Sequence, residues 1–427
     1  MIEKLYSHFL KHRKITTDTR KIEKDAIFFA LKGPNFNANQ FASEALAKGA
    51  SLVVIDEAEY KTDDRYYLVD DVLKALHDLA IHHRQQLDIP VIGLTGSNGK
   101  TTTKELLNAV LSTKYHVLST QGNLNNHIGV PLTVLSIADE HEMAIIEMGA
   151  NHVGEIERLC EIAYPSHGFI TNIGKAHLEG FGGFEGVIRA KSELYHHLIK
   201  TNGVVWINSL NDILSNMGKR FKDPLYYPQQ GDYYHCEFKA ASPYVEFTAE
   251  NGEEVITNIV GKYNFENIAV ALTVGKYFDV PASQANKAVA EYTPENNRSQ
   301  IIRKGSNIII LDAYNANPSS MASAVENLSS MKAENKVAIL GDMKELGPDS
   351  VNEHEKLGAD LSGKAISEVY LCGNDIQAAQ KYLPHAIYCA SRSELIDHLK
   401  QKNFSNSAIL IKASRSIGLE AVVEHIG

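Results

Sequence analysis

Cysteine is scarce in this 427-residue chain: Cys160, Cys236, Cys372 and Cys389 are the only four, and they lie far apart. So few cannot staple a chain of this size, and none has the short paired spacing of a zinc site, so reduced, buried thiols are expected. Positive charge is also in deficit. With 42 Lys+Arg against 52 Asp+Glu the formal net charge is -10, which argues against the basic field that non-specific nucleic-acid binding needs. No uninterrupted apolar stretch approaches bilayer-spanning length, and the opening MIEKLYSHFLKHRK is too charged for a signal peptide. Internal repeats and low-complexity segments are missing too. A cytoplasmic globular protein is therefore expected, without nucleic-acid or membrane partners and with length for two or three domains.

Against that background one stretch stands out, Val91 to Leu111, reading VIGLTGSNGKTTTKELLNAVL. A short apolar run suits a buried strand, and Gly96-Ser97-Asn98-Gly99 then turns into Lys100-Thr101-Thr102 and an apolar-striped helix. Glycines let backbone N–H groups close around an oxyanion, the helix start adds favourable dipole, Lys100 brings a point charge and Thr101 a hydroxyl for Mg²⁺. The general phosphate loop has four residues between its glycines, whereas Gly96 and Gly99 are separated by two. An ordinary glycine turn capping a helix is the plainer alternative.

The chain around it reads as α/β. Residues 1–86 form a small α/β unit with strands at Ala26–Ala30 and Leu52–Ile55, and Asp88-Ile89-Pro90 marks the first junction. Residues 87–295 form a central phosphate-loop domain, with parallel strands at Met143–Ile146, Gly168–Thr171 and Gly203–Ile207 and an antiparallel flap from Tyr226 to Val260. The polar Thr293-Pro294-Glu295-Asn296-Asn297 breaks the pattern, so residues 296–427 form the third unit. Its apolar runs Ile308–Leu311, Val337–Leu340, Val369–Cys372 and Ala408–Ile411, separated by helical lengths, predict a doubly wound Rossmann-like sheet.

Ligands of such sheets gather beyond the strands' carboxyl ends, where Glu147 and His177 fall. A solvated strand-end carboxylate is the lesser alternative for Glu147, whereas His177 singly reads as a surface histidine. With Thr101 they supply a hydroxyl, a carboxylate and an imidazole able to surround a phosphate-bridging metal. Lys191 falls on a helix and reads either as a member of that group or as a solvated lysine paired with an acid. Asn123, Asn125 and Asn126 offer donors and acceptors to a polar ligand or satisfy their own backbone. Thr19 and Arg20 sit in a segment that could reach an anion but reads better as a turn, and Asn264 could cap the next helix. Three polar loops, at Asp312–Pro318, Gly341–Glu345 and Lys412–Arg415, share one rim of the third sheet.

Together these residues resemble the Mur ligase family over essentially the whole chain. Thr95-Gly96-Ser97-Asn98-Gly99-Lys100-Thr101-Thr102 is similar to the family's shortened phosphate loop, which accounts for the glycine spacing. Asp312-Ala313-Tyr314-Asn315-Ala316-Asn317-Pro318 and Leu340-Gly341-Asp342-Met343-Lys344-Glu345-Leu346-Gly347 resemble segments that set apart the member adding a dipeptide. The resemblance implies ATP-dependent joining of D-alanyl-D-alanine to UDP-N-acetylmuramoyl-tripeptide through an acyl phosphate, by a monomer, giving a peptidoglycan precursor. It implies two Mg²⁺, one held by Thr101 and Glu147, the other by Glu147, His177 and Lys191, the lysine carrying a CO₂-derived carbamate. Lys100 and Arg298 join the catalytic set, and Asn267, Arg298 and Asp312 hold ATP beside the phosphate loop. The loop with Asn123, Asn125 and Asn126 faces the muramoyl part, Thr19, Arg20 and Lys32 the uridine nucleotide, and Asn315 and Arg415 the dipeptide. Three places depart from the family pattern. Asn37-Ala38-Asn39 replaces Asp-Gly-His, and Asn297 and Ala413 stand for glycines, so altered loop geometry is expected. A sister ligase adding one amino acid, a phosphate-loop ATPase or motor, and a non-catalytic nucleotide-sugar binder are the alternatives.

Overall fold

The computed structural model describes residues 2–295 and 297–426; Asn296, at the second expected boundary, and the end residues Met1 and Gly427 lie outside the described residues. The first sheet is parallel, in the order Ile15–Thr16, Ile27–Phe29, Leu52–Ile55 and Tyr66–Leu68. Its two central strands are the two expected from sequence. The outer pair escaped because each is only two or three residues long. A small hairpin, Lys32–Gly33 against Phe36–Asn37, extends beyond the sheet's carboxyl edge.

The central sheet has six parallel strands in the order Leu225–Tyr227, Val204–Asn208, His167–Ile170, Val91–Thr95, Met143–Glu147 and Val117–Ser119. After Val91–Thr95 the chain runs to the far edge, returns as Met143–Glu147, and then continues on the other side of Val91–Thr95. That reversal leaves a crevice at the carboxyl end of Val91–Thr95, where open α/β sheets bind ligands. Every residue of that strand is buried, as its apolar run requires. The helix Lys100–Leu111 turns Leu106, Leu107, Val110 and Leu111 into a core shared with Ile268, Ala271 and Leu272 of the helix Asn264–Tyr277.

One sequence expectation is corrected here. Tyr226 does not open the flap, because Leu225–Tyr227 pairs in parallel with Val204–Asn208 as the sixth central strand. The flap itself is the antiparallel set Glu237–Ala241, Tyr244–Thr248 and Glu254–Val260. Along its last strand Val255 and Thr257 are buried between exposed neighbours, the period-two pattern of a half-buried sheet, before Ile259 and Val260 are both buried.

The third sheet runs Gln300–Lys304, Asn307–Leu311, Ser407–Lys412, Asn335–Gly341, Glu368–Cys372 and Ile387–Cys389. All its pairings are parallel except the first, a hairpin edge that the sequence reading missed. All four thiols are free and buried. Among the described residues no helix is long and apolar enough to cross a membrane.

Candidate functional site

The crevice opens into a cavity of about 820 Å³ between the central and third sheets. Its floor is the phosphate loop. Gly99 adopts φ +77° and Gly96 φ +149°, conformations that side chains disfavour, and an added Cβ at Gly96 would come within 2.0 Å of Thr171 Oγ1. The loop is stapled to the turn after the neighbouring strand: Ser97 N donates to Asn172 O at 3.0 Å, Asn98 N to Asn172 Oδ1 at 3.0 Å, and Ser97 Oγ to Gly174 O at 2.9 Å. Lys100 folds back so that Nζ donates to Gly96 O at 2.7 Å. Burial, followed by the nearby Arg298 charge, pushes its pKa below the usual lysine value, and Glu147 opposes that shift.

Glu147 is 1% exposed, which overturns the solvated strand-end alternative. Its Oε1 accepts from Asn125 Nδ2 at 2.7 Å and Thr101 Oγ1 at 3.3 Å, whereas its buried Oε2 has no partner among the described residues. A buried carboxylate oxygen without a partner is costly, and beside a hydroxyl it supplies the hard oxygen donors that Mg²⁺ takes. The residues fit that ion. His177 lines the same cavity but adopts φ +51° and forms an ion pair through Nδ1 with Glu345 Oε2 of the third domain. Lys191, on the helix Phe184–Thr201, is 2% exposed and makes no hydrogen bond or ion pair among the described residues, so the solvated, paired alternative fails. Its Nζ lies 5.1 Å from the centre of the Phe181 ring, and burial with the Lys100 charge lowers its pKa to about 7. Lys191 is not part of the cavity wall.

The opposite wall comes from the third domain. Asp312 Oδ2 accepts from the buried Lys412 Nζ at 2.5 Å and Oδ1 from Ser299 N at 3.2 Å, which ties two strand ends together. Arg298 stacks on Tyr314 with its guanidinium carbon 3.5 Å from the ring centre. Asn297, the residue found in place of glycine, takes φ +59°, a left-handed conformation that asparagine adopts more readily than most residues other than glycine. Asn98 bridges the walls, donating from Nδ2 to Ser319 Oγ and accepting from Asn317 Nδ2, both at 2.8 Å. Asn317 also caps the helix Pro318–Ser330 in a reciprocal box with Ser320.

The cavity therefore gathers Ser97, Asn98, Gly99, Lys100, Thr101, Thr102, Asn125, Asn126, Glu147, His177, Asn267, Arg298, Asp312 and Asn315. Thr95 and Gly96 lie beneath it. Asn126 Oδ1 accepts from Gly129 N at 2.9 Å, so that asparagine satisfies local backbone, while Asn123 is exposed outside the cavity. Asn264 does not cap its helix, since its Nδ2 donates to Val260 O at 2.8 Å and its Oδ1 accepts from Asn267 Nδ2 at 2.8 Å. Arg415 is exposed, with its guanidinium carbon 5.6 Å from the same Tyr314 ring. Thr19, Arg20 and Lys32 lie on the first domain. Asp18 caps the turn at Thr19–Lys21 and binds Arg20, as the turn reading expects. Lys32 pairs with Asp56 at 3.1 Å, and the substituted Asn39 is fully buried, with Nδ2 donating to Asp56 Oδ1 at 2.9 Å. Asn172, Gly174, Tyr314, Asn317, Ser319 and Glu345 were not assigned roles from sequence. Tyr314, Asn317 and Glu345 lie in the two segments whose family resemblance was noted, Asn172 and Gly174 in a loop beyond a strand end, and nothing in the sequence pointed to Ser319.

Comparison with known proteins agrees with this geometry. Residues 94–275 match the Mur ligase middle domain and residues 297–415 the Mur ligase, glutamate ligase domain. The chain is 35% identical to the UDP-N-acetylmuramoyl-tripeptide--D-alanyl-D-alanine ligase of Bacillus subtilis (strain 168), an alignment covering 96% of this chain and 92% of the relative. The enzyme of the same name from Escherichia coli (strain K12) matches at 35% with the same coverage. Among solved structures, MurF from Acinetobacter baumannii superposes with a TM-score of 0.87 at 31% identity, covering 96% of this chain and 92% of that one. MurF ligase from Thermotoga maritima in complex with ADP gives 0.85 at 28%, covering 97% and 96%. With a phosphate loop of the same short spacing facing a third domain across one cavity, and with relatives matched along nearly its full length, the chain belongs to the Mur ligase family.

Proposed function

We propose that this protein is an ATP-dependent, ADP-forming ligase that joins D-alanyl-D-alanine to UDP-N-acetylmuramoyl-tripeptide. The observation that carries this reading is one cavity holding the phosphate loop, the Asp312–Pro318 loop and a Glu147 Oε2 that has no partner among the described residues. Relatives that carry the dipeptide-adding name along nearly the whole chain support it over a single-residue ligase. Residues 1–86, 87–295 and 296–427 act as uridine-nucleotide, ATP and third domains.

A carboxylate is a poor electrophile, so the tripeptide carboxylate first takes the γ-phosphoryl group of ATP. The dipeptide amine then attacks the acyl phosphate and phosphate leaves. Positioning and charge neutralisation do most of this work. Lys100 leaves Gly96 O to meet the phosphates, and with Ser97 N and Asn98 N bonded to Asn172 the loop is fixed so that the N–H groups at the start of the helix Lys100–Leu111 hold them. Thr101 and Glu147 would hold one Mg²⁺, and Glu147 and His177, joined by a carbamate on Lys191, would hold a second. Bound Mg²⁺ would screen the charge that develops on the transferred phosphoryl group. A pKa near 7 gives Lys191 the neutral amine that CO₂ requires, and the carbamate would replace a cation beside Lys100 by an anion. Asn267 contacts adenine, and Arg298 and Asp312 hold the phosphates and ribose. Asn123, Asn125 and Asn126 face the muramoyl part, Thr19, Arg20 and Lys32 the uridine nucleotide, and Asn315 and Arg415 the dipeptide. The walls held by Asn98 exclude water that would hydrolyse the acyl phosphate.

ADP release measured with each substrate omitted in turn tests the reading. Turnover should require the UDP-muramoyl-tripeptide and an amine acceptor. Equal ATP turnover without either would make the chain a plain ATPase.

A further inference from the structure

The Asp312–Pro318 loop contains one large side chain to which the reaction gives no role, Tyr314. Its half-buried ring lines the cavity, with the Arg298 guanidinium stacked at 3.5 Å and the Arg415 guanidinium at 5.6 Å. Tyr314 N donates to Asn297 O at 3.2 Å, so the ring is anchored to the residue that precedes Arg298. The Tyr314 hydroxyl makes no hydrogen bond among the described residues, which leaves the ring face as the working part.

A planar guanidinium on an aromatic face loses rotational freedom and keeps its outward N–H groups for an anion. Without the ring, Arg298 would be a long side chain free to sample solvent, near a Lys100 charge that repels it. We propose that Tyr314 is a positioning residue that holds two arginines at once, Arg298 for the phosphates of ATP and Arg415 for the carboxylate of the incoming dipeptide. This rests on the ligase reading above. The shared ring sets the spacing between the donor and acceptor ends of the reaction.

Steady-state kinetics on Tyr314→Leu and Tyr314→Phe test this, alongside ADP affinity by calorimetry. Tyr314→Leu should raise KM for ATP and for D-alanyl-D-alanine together, each by roughly ten-fold, the scale of a part-buried cation–π contact. KM for the UDP-muramoyl-tripeptide should stay unchanged, which general damage to the fold would not allow. Tyr314→Phe keeps the ring and should remain within about two-fold of wild type. In the Tyr314→Leu background Arg298→Lys should add no further loss of ADP affinity, since the stacked geometry is already gone. Unchanged KM values in Tyr314→Leu, or equal damage from the phenylalanine variant, would overturn the proposal. If wild type used no dipeptide, the ligase reading would fail, and ADP affinity unchanged by Tyr314→Leu would separately refute the positioning role.

Discussion

Gly99→Ala probes the phosphate loop where its backbone and the proposed adenine contact meet. At φ +77° an alanine is strained by roughly 1–2 kcal/mol. Its Cβ would stand 2.7 Å from Asn267 Oδ1 and 2.8 Å from Asn267 Nδ2. The amide can yield only by giving up its bond to Asn264 Oδ1, a further loss of about 1 kcal/mol. The total is about 2–3 kcal/mol of central-domain stability. Trp206 is the chain's one tryptophan and is fully buried in the central sheet, so its fluorescence during urea unfolding reports on this domain alone. Asn267→Ala by itself should cost about 1 kcal/mol, and the double variant no more than Gly99→Ala, because both changes break the same bond. Both single variants should also weaken ADP binding. Fully additive costs, or a Gly99→Ala protein within about 0.5 kcal/mol of wild type, would refute the reasoning.

Other perturbations separate the parts of the site. Lys191→Ala should abolish ligation, with partial recovery on adding a small carboxylate; full activity without it would remove the carbamate role. Glu147→Gln should lose Mg²⁺-dependent stabilisation by ADP in a thermal melt, since the amide puts N–H donors where the buried Oε2 would meet the ion. Asn98→Ala removes two of the hydrogen bonds between the walls, so KM for ATP should rise several-fold with little change in central-domain unfolding. His167, stacked on Trp206 and half-buried, has its pKa lowered from 6.5 to about 4 by desolvation. The unfolded chain then binds more protons between those values, so stability is intact above pH 6.5 and falls on acidification towards pH 4, by up to about 3 kcal/mol. His167→Gln should flatten that slope in Trp206-monitored unfolding.

The legible parts of this fold were those where one residue type repeats along one element. Val91–Thr95 and Leu52–Ile55 are continuous apolar runs, and the glycines before Lys100 announce the turn that follows. Leu225–Tyr227 was misplaced because its tyrosines suit a flap as well as a parallel edge, and only its partner strand decides between them. Gln300–Lys304 was missed because a half-exposed edge carries little apolar signal. In the site, Glu147 and Thr101 meet as their strand and helix ends imply. The pairing of His177 with Glu345 could not be read, because the two are 168 positions apart and join only across the domain interface. The approach of Arg298 and Arg415 to the Tyr314 ring is likewise a product of three separate loops converging on one rim.

The central claim is the identity of the acceptor. Purified protein, ATP, Mg²⁺ and UDP-N-acetylmuramoyl-tripeptide should be offered D-alanyl-D-alanine and single amino acids in competition, with the product identified by mass. The account predicts a product heavier by the dipeptide less one water, formed with one ADP per bond. Preferential addition of a single amino acid would contradict it.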